Sequence, residues 1–251
     1  MKLNRTLTNA QVVIEALAAH GAMTPAELAH ETAVARSSVY RLVEGLVAVG
    51  LVDALPDSRV QLTHRWLHLA DAVVPSMREW DGSSIVLDEL AAQTNQTAYL
   101  SVLRGDHAVC INWAQGRGID LLILKPGHTL PLYAGGAGRN ILAHTPALID
   151  RVLGSTELTA FTAHTLVDAA ALRADIAATL RTGYTLSHED VTVGIGAIGV
   201  AVTRDGHYLG CLSVGGLIHD IKADQDVLVA RLRAAATRLA EPRAATVPSG
   251  A

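Results

Sequence analysis

Residues Thr24 to Leu62 constrain this chain more than any other stretch, because their order and spacing fit one compact motif, a winged helix-turn-helix. Thr24, Pro25 and Glu27 have the order of a capping box. The threonine hydroxyl can accept an N–H three residues on, the proline ring pre-sets the first helical φ, and the glutamate can reach back to the cap. They predict a short helix to His30, then a turn through Glu31 to Ala35. Arg36 to Val49 carries Val39, Leu42, Val43 and Leu46 three and four residues apart, the period of a helix with one buried face. Gly50 is placed to end it. Leu51-Val52 and Val60-Gln61-Leu62 flank the turn residues Pro56, Asp57 and Ser58, and predict a two-stranded wing carrying Arg59.

The outward side of the second helix would present Arg36, Ser37, Ser38, Tyr40 and Arg41, donors suited to phosphates and base edges with no acid among them. With Arg59 on the wing, this is the residue set expected to contact double-stranded DNA. A plain three-helix bundle that never meets nucleic acid is the alternative. Charge leaves both open: residues 1–62 hold five Lys/Arg against six Asp/Glu, and the whole chain has a net charge of -4. General phosphate attraction is therefore weak, and useful affinity would need grouped cations and two copies on one DNA site, so DNA binding predicts an oligomer.

With 251 residues, half of them hydrophobic, the chain can bury the cores of one small and one ordinary domain. Cys110 and Cys211 lie far apart in apolar, strand-like runs, as buried reduced thiols would. Met1 to Asn9 lacks an apolar signal core, and no run approaches the roughly 18 apolar residues of a membrane span, so a cytoplasmic place without membrane contact is expected.

Four segments are expected: a winged helix-turn-helix over 1–62, a linker helix and hinge over 63–82, an effector-binding domain over 83–242, and a disordered tail over 243–251. Thr8 or Asn9 would cap a first helix ending at His20, and Thr63 would cap the linker helix, with Trp66, Leu69, Ala70 and Val73 on one face, as far as Pro75. The second domain opens with a helix from about Ser84 to Thr94, burying Ile85, Leu87, Leu90 and Ala91. Strands Thr97–Leu103, Ala108–Trp113 and Ile119–Leu124 follow as an antiparallel meander. Ala134 to Arg139 then enters a short helix ending near His144, and Pro146 starts another. Asp168 to Thr182 is helical and stopped by Gly183. Ala197–Thr203 and Tyr208–Val214 form a hairpin about Arg204-Asp205-Gly206, and Asp220 to Glu241 gives a closing helix. The class is α+β.

Gly194-Ile195-Gly196-Ala197-Ile198-Gly199 spells the dinucleotide fingerprint GxGxxG. A hairpin stands where that motif needs a helix, so a loop whose glycines allow close backbone approach is the better reading. Ala134 to Arg139 lacks the GK[ST] of a phosphate loop, yet its bare N–H groups at a helix start could cradle a small anion; a tight turn packed on the sheet is the alternative. Ser213, ahead of Gly215-Gly216, could donate a hydroxyl to the same cavity. Ser187-His188-Glu189-Asp190 gathers a nucleophile, a base and acids, but adjacent residues point apart and cannot form a triad among themselves. His64 and His68 stand one helical turn apart without a third ligand nearby, and the other histidines are scattered, so neither a metal nor another cofactor is expected.

In combination these features resemble the IclR family of bacterial transcriptional regulators from about Thr8 to Glu241. Ala33 to Leu42 resembles the family's recognition helix, and Gln61-Leu62-Thr63-His64-Arg65-Trp66-Leu67 its wing end. Pro131 to Arg139 is similar to the family's PLHATASGKALLA stretch. Arg181-Thr182-Gly183-Tyr184 with Glu189 and Gly194, then Leu212-Ser213-Val214-Gly215-Gly216, follow R..GY....E....G and LSVSGP. The resemblance implies a GAF-like α/β effector domain with an antiparallel sheet, and homodimers that often pair into tetramers. It also implies a pocket lined by the glycine-rich loop, the Gly194–Gly199 loop and the last strand, which makes Gly135, Gly136, Ala137, Gly138, Arg139, Ala197, Ser213 and Gly215 the candidate effector residues. Several positions depart from the family: Gly135 and Ala137 replace Thr and Ser, Arg139 replaces Lys, Ala201 stands where Pro is common, and Gly215 replaces Ser. The expected function is a sequence-specific DNA-binding regulator whose operator affinity is changed by a small-molecule effector, an organic acid or related metabolite. The alternatives are a small metabolite-modifying hydrolase with an accessory helix-turn-helix, or metabolite binding without DNA.

Overall fold

A computed structural model describes residues 4–73, 79–118, 124–155 and 158–241, and the chain divides into two compact units, 1–79 and 80–251. The first unit runs α1 (Arg5–His20), α2 (Pro25–Thr32), α3 (Arg36–Ala48), the antiparallel pair β1 (Val52–Ala54) and β2 (Val60–Leu62), then α4 (Arg65–Val73). The capping box forms as its spacing requires: Glu27 N–H donates to Thr24 Oγ1 at 3.2 Å, and Thr24 N–H donates to Glu27 Oε2 at 2.7 Å. Ala33, at φ 53°, takes the left-handed turn into α3. Val13 and Leu17 of α1, Leu28 of α2, Val39, Val43 and Leu46 of α3, and Val52 and Val60 of the wing close one core.

Two expectations about helix starts fail here. Asn4, not Thr8 or Asn9, caps α1, its side chain accepting Thr6 N–H at 3.0 Å. An amide carbonyl one turn earlier captures an otherwise unpaired donor, so the helix begins sooner. Nor does Thr63 cap α4; its hydroxyl donates to Gly50 O at 2.8 Å and its N–H to Leu51 O at 3.3 Å, tying the wing back to the turn after α3. The start of α4 is pinned on that same turn, with Arg65 Nη1 on Val49 O at 2.6 Å and the Trp66 indole N–H on Leu51 O at 2.8 Å. None of α4 is buried; Leu67 is 65% exposed and Val73 53%. Pro75, the expected end of this helix, lies outside the described residues.

The second unit runs α5 (Ser83–Thr94), β3 (Thr97–Arg104), β4 (His107–Ala114), β5 (Thr129–Pro131), α6 (Gly135–Ala143), α7 (Pro146–Leu153), α8 (Ala169–Thr182), β6 (Thr185–His188), β7 (Ile195–Arg204), β8 (His207–Leu217), α9 (Ile218–Ala223) and α10 (Gln225–Ala240). Its strands form one antiparallel sheet in the order β5-β4-β3-β8-β7-β6. α5 and α10 pack on each other and on the sheet, while α6 and α8 pack on the sheet and α7 packs on α6. Asp168 caps α8 through Ala171 N–H at 2.9 Å, and Gly183 ends it at φ 75°. Asp205 and Gly206, both at positive φ, make the two-residue turn of the β7–β8 hairpin.

Elsewhere the second unit corrects its sequence reading. Ile195 to Gly199 is strand rather than loop, because β6, an unexpected edge strand, pairs with it on one side and β8 on the other. The closing helix is two helices broken at Asp224. In α5 the buried face includes Val86 rather than Ile85, which is 53% exposed. Residues 119–123 of the expected third strand, and the tail 243–251, lie outside the described residues; the strand paired on the outer side of β4 is β5. Both cysteines are buried free thiols, and burial pushes Cys110 up to about 12.

Candidate nucleic-acid interface and effector cavity

α3 starts with Ala35 at its cap, no side-chain capping bond and no acid in its first turn. Its first N–H groups therefore remain available to an anion, and the helix dipole favours one there. Arg36, Ser37, Tyr40 and Arg41 are exposed on this helix and Ser38 is half-buried, while Val39 and Val43 turn inward. The Arg36 guanidinium lies 5.9 Å from the centre of the Tyr40 ring, so the two side chains form one stacked cationic and aromatic surface. Arg59 is on the wing as expected, but its Nε donates to Asp57 Oδ2 at 2.6 Å, and this bond holds the Asp57 carboxyl below its usual range. A phosphate would have to share Arg59 with that carboxylate. One feature escaped the sequence reading: Arg5, Thr6 and Asn9 of α1 line the same surface groove as Ser38 and Arg41. The packing of α1 on α2 and α3 brings Arg5 into the groove that Arg41 also lines, and no local spacing announces it.

The second unit contains a cavity of about 90 Å³ between the start of α6 and strands β3, β7 and β8. Six of the eight expected effector residues line it: Gly135, Gly136 and Ala137 from α6, Ala197 from β7, and Ser213 and Gly215 from β8. Thr97, Tyr99, Ser187 and Thr192 add hydroxyls that sequence reasoning did not find, and Leu124, Leu130, Val191 and Ile195 add carbon. Burial raises the Tyr99 phenol to about 12, so it is neutral at physiological pH.

The other two candidates do not reach the cavity. At Gly138 a Cβ would stand 2.5 Å from Pro131 O, so this glycine serves a tight backbone contact. Arg139 is 3% exposed. Its Nε meets Asp190 Oδ2 at 3.1 Å, Nη1 meets Asp175, and Nη2 donates to Leu186 O at 2.7 Å. Asp190 Oδ2 also accepts Gly135 N–H at 3.0 Å, and its other oxygen accepts the Ser187 hydroxyl. Gly135 and Arg139 are four residues apart on one face of α6, so a single carboxylate caps the helix and anchors the guanidinium. The anion expected at this helix start is thus partly supplied by the protein itself.

The GxGxxG letters are explained by packing. A Cβ at Gly196 would fall 2.6 Å from Ile218 Cδ1, and one at Gly199 would fall 2.7 Å from Gly136 O, so these glycines let α9 and α6 close on β7. Ser187 gives its hydroxyl to Asp190, whereas His188 Nδ1 lies 3.7 Å from Glu189 Oε2 and its ring meets His164 edge-on. The serine and histidine of a hydrolytic pair therefore serve different neighbours. Among the described residues no three His, Cys, Asp or Glu side chains are grouped to hold a metal, and no helix is long and apolar enough to cross a membrane.

Residues 6–56 match the IclR helix-turn-helix domain, and residues 74–241 match the domain described as bacterial transcriptional regulator IclR C-terminal. The chain belongs to the IclR family. It is therefore a transcriptional regulator with a helix-turn-helix DNA-binding domain and a C-terminal ligand-binding domain, and the hydrolase alternative is not favoured. Among IclR-type relatives, the chain is 29% identical over 203 residues to the HTH-type transcriptional regulator BhcR of Paracoccus denitrificans, covering 79% of this chain and 72% of that protein. It is 26% identical over 198 residues to KipR of Bacillus subtilis, covering 77% and 79%. The IclR transcriptional regulator structure from Alicyclobacillus acidocaldarius superposes with a TM-score of 0.74 at 24% identity, over 95% of this chain and 98% of that one. An IclR homolog from Microbacterium hydrocarbonoxydans, complexed with 4-hydroxybenzoate, superposes at 0.73 and 21% identity, over 94% and 97%.

Proposed function

We propose that this regulator reads a paired operator as a cytoplasmic homodimer or dimer of dimers, with Arg36, Ser37, Ser38, Tyr40 and Arg41 on the duplex and Arg59 as a weaker wing contact. The observation that carries this reading is the acid-free, uncapped start of α3, set beside Arg5 and Arg41 in one groove. Backbone N–H groups and guanidinium groups together suit a phosphate, and the exposed Tyr40 and Ser37 lie within the same turns for base edges. In the second unit Gly135, Gly136, Ala137, Ala197, Ser213 and Gly215 receive a small effector. The pinning of α4 on Val49 and Leu51 gives α3 a rigid handle, so displacement of α4 moves the reading helix with it. Effector binding then changes operator affinity by favouring one placement of the two heads over another.

Arg41→Ala is expected to weaken operator binding by about 1–3 kcal/mol in a mobility-shift titration, and Arg5→Ala to reduce the salt dependence of that binding. Arg59→Ala should cost less than Arg41→Ala because Asp57 already engages its guanidinium. Equal operator affinity for wild type and Arg41→Ala would remove α3 from the interface.

A further inference from the structure

We propose that Tyr99 sets the size limit of the effector: its ring walls the side of the cavity that faces the start of α6, so that ligands of a few heavy atoms bind and those carrying an aromatic ring do not. This rests on the reading of the cavity as the effector site, and adds the residue that decides which effectors enter it.

Strand alternation builds the cavity floor. Successive side chains of a strand point to opposite faces, so Tyr99 of β3 shares a face with its register partner Ser213 of β8, and with Gly199 of β7 beyond it; Thr97, Gly215 and Ala197 form the neighbouring row. The start of α6 stands on β7, where a Cβ at Gly199 would fall 2.7 Å from Gly136 O and one at Gly136 would fall 3.3 Å from Ala197 Cβ. Tyr99 stands on β3, two strand spacings away, roughly 10 Å across the sheet. Only β8 lies between them.

The tyrosine ring narrows that gap. Tyr99 is paired with Ser213, yet its Cε2 lies 3.5 Å from where a Cβ at Gly215 would be, so the ring leans diagonally over β8 towards α6. The absence of a side chain at Gly215 leaves room for it. On the opposite side, Gly136 and Ala137 line the cavity in the first turn of α6, where main-chain N–H groups have no partner within their own helix. A head group that accepts hydrogen bonds there, beside the Ser213 hydroxyl, presents the rest of the ligand to the ring.

The space left is about 90 Å³, less than the roughly 150 Å³ cavity that holds a benzene molecule. Tyr99 carries the one aromatic ring in the lining among the described residues. Its truncation vacates the room of one phenyl group beside the room already present. Burial pushes its phenol up to about 12, so at neutral pH this wall is uncharged and selects by shape.

Propionate and benzoate carry the same carboxylate and differ in the body behind it. Each is titrated at pH 7 into the full-length protein and its variants, followed by ligand-observed NMR and by thermal unfolding. Wild type should bind propionate at least tenfold more tightly than benzoate. Tyr99→Ala should gain at least tenfold in benzoate affinity and lose propionate affinity; Tyr99→Val, whose branched side chain suits a strand, replaces it if the alanine variant folds poorly. Tyr99→Phe, which keeps the ring and removes the hydroxyl, should still discriminate against benzoate. Gly215→Val, whose Cβ meets only ordinary contacts but whose methyls crowd the ring and fill the cavity, should abolish the propionate response. Wild type that binds benzoate as well as propionate, a folded Tyr99→Ala or Tyr99→Val that keeps the wild-type preference, or a Tyr99→Phe that admits benzoate overturns the role of the ring while leaving the cavity an effector site. Failure of both acids with wild type and every variant, or a propionate response that survives Gly215→Val, overturns the effector-site reading itself.

Discussion

Replacing Arg139 by alanine separates a structural from a ligand-binding role for the one cation in the glycine-rich segment. Its guanidinium is 3% exposed and holds Asp190, Asp175 and the Leu186 carbonyl. Truncation leaves Asp190, 2% exposed, with the Gly135 N–H and the Ser187 hydroxyl as its side-chain partners among the described residues. Breaking a buried ion pair from one side costs about 3–5 kcal/mol, because the surviving charge stays desolvated and unpaired. That is a large share of the roughly 5–15 kcal/mol that stabilises an ordinary domain, so the second unit should be close to unfolding. Urea unfolding followed by tryptophan fluorescence reads this directly, since Trp80 is a buried reporter in that unit. The double variant Arg139→Met with Asp190→Asn should recover about 1.5–3 kcal/mol of the loss, because both members of the pair are then neutral. An Arg139→Ala protein within about 1 kcal/mol of wild type, yet deaf to effector, would show that Arg139 contacts the ligand and refute this reasoning.

Further outcomes follow from particular contacts. Gly199→Ala should destabilise by about 1–3 kcal/mol in the same urea assay, since its Cβ would stand 2.7 Å from Gly136 O and 2.9 Å from Cys211 Sγ. Trp66→Phe removes the indole bond to Leu51 O; it should cost the first unit about 1 kcal/mol and weaken the effect of effector on operator affinity in a mobility-shift titration. The Cys110 and Cys211 thiols, both buried and raised above their ordinary values, should resist a disulfide reagent at pH 8 until urea unfolds the second unit. Prompt reaction of either in the folded protein would contradict the packing around it.

Local chemistry made much of this fold legible. The Thr24 capping box, Asp168 and Gly183 at the ends of α8, and Asp205-Gly206 in the hairpin each act within a few residues, and each appears in the structure where its spacing puts it. What stayed hidden depends on distant partners. β6 is a four-residue strand recognisable only by its pairing with β7. Arg139 looked like a ligand contact because its partners are 36 and 51 residues away in sequence. The hydroxyls of Thr97, Tyr99, Ser187 and Thr192 meet in one cavity only once the sheet is assembled. Arg5 adds only charge to the sequence pattern, and its place in the groove lined by Arg41 comes from helix packing.

In the proposed complex α3 enters a duplex groove twice per assembly. Selection of genomic fragments with the purified protein, followed by footprinting of the selected DNA at moderate salt, tests it most directly. Two protected half-sites spaced by about one helical turn or a multiple of it are expected, with protection shifted by effector and lost in Arg41→Ala. No protection with or without effector, or a footprint unchanged in Arg41→Ala, would contradict it.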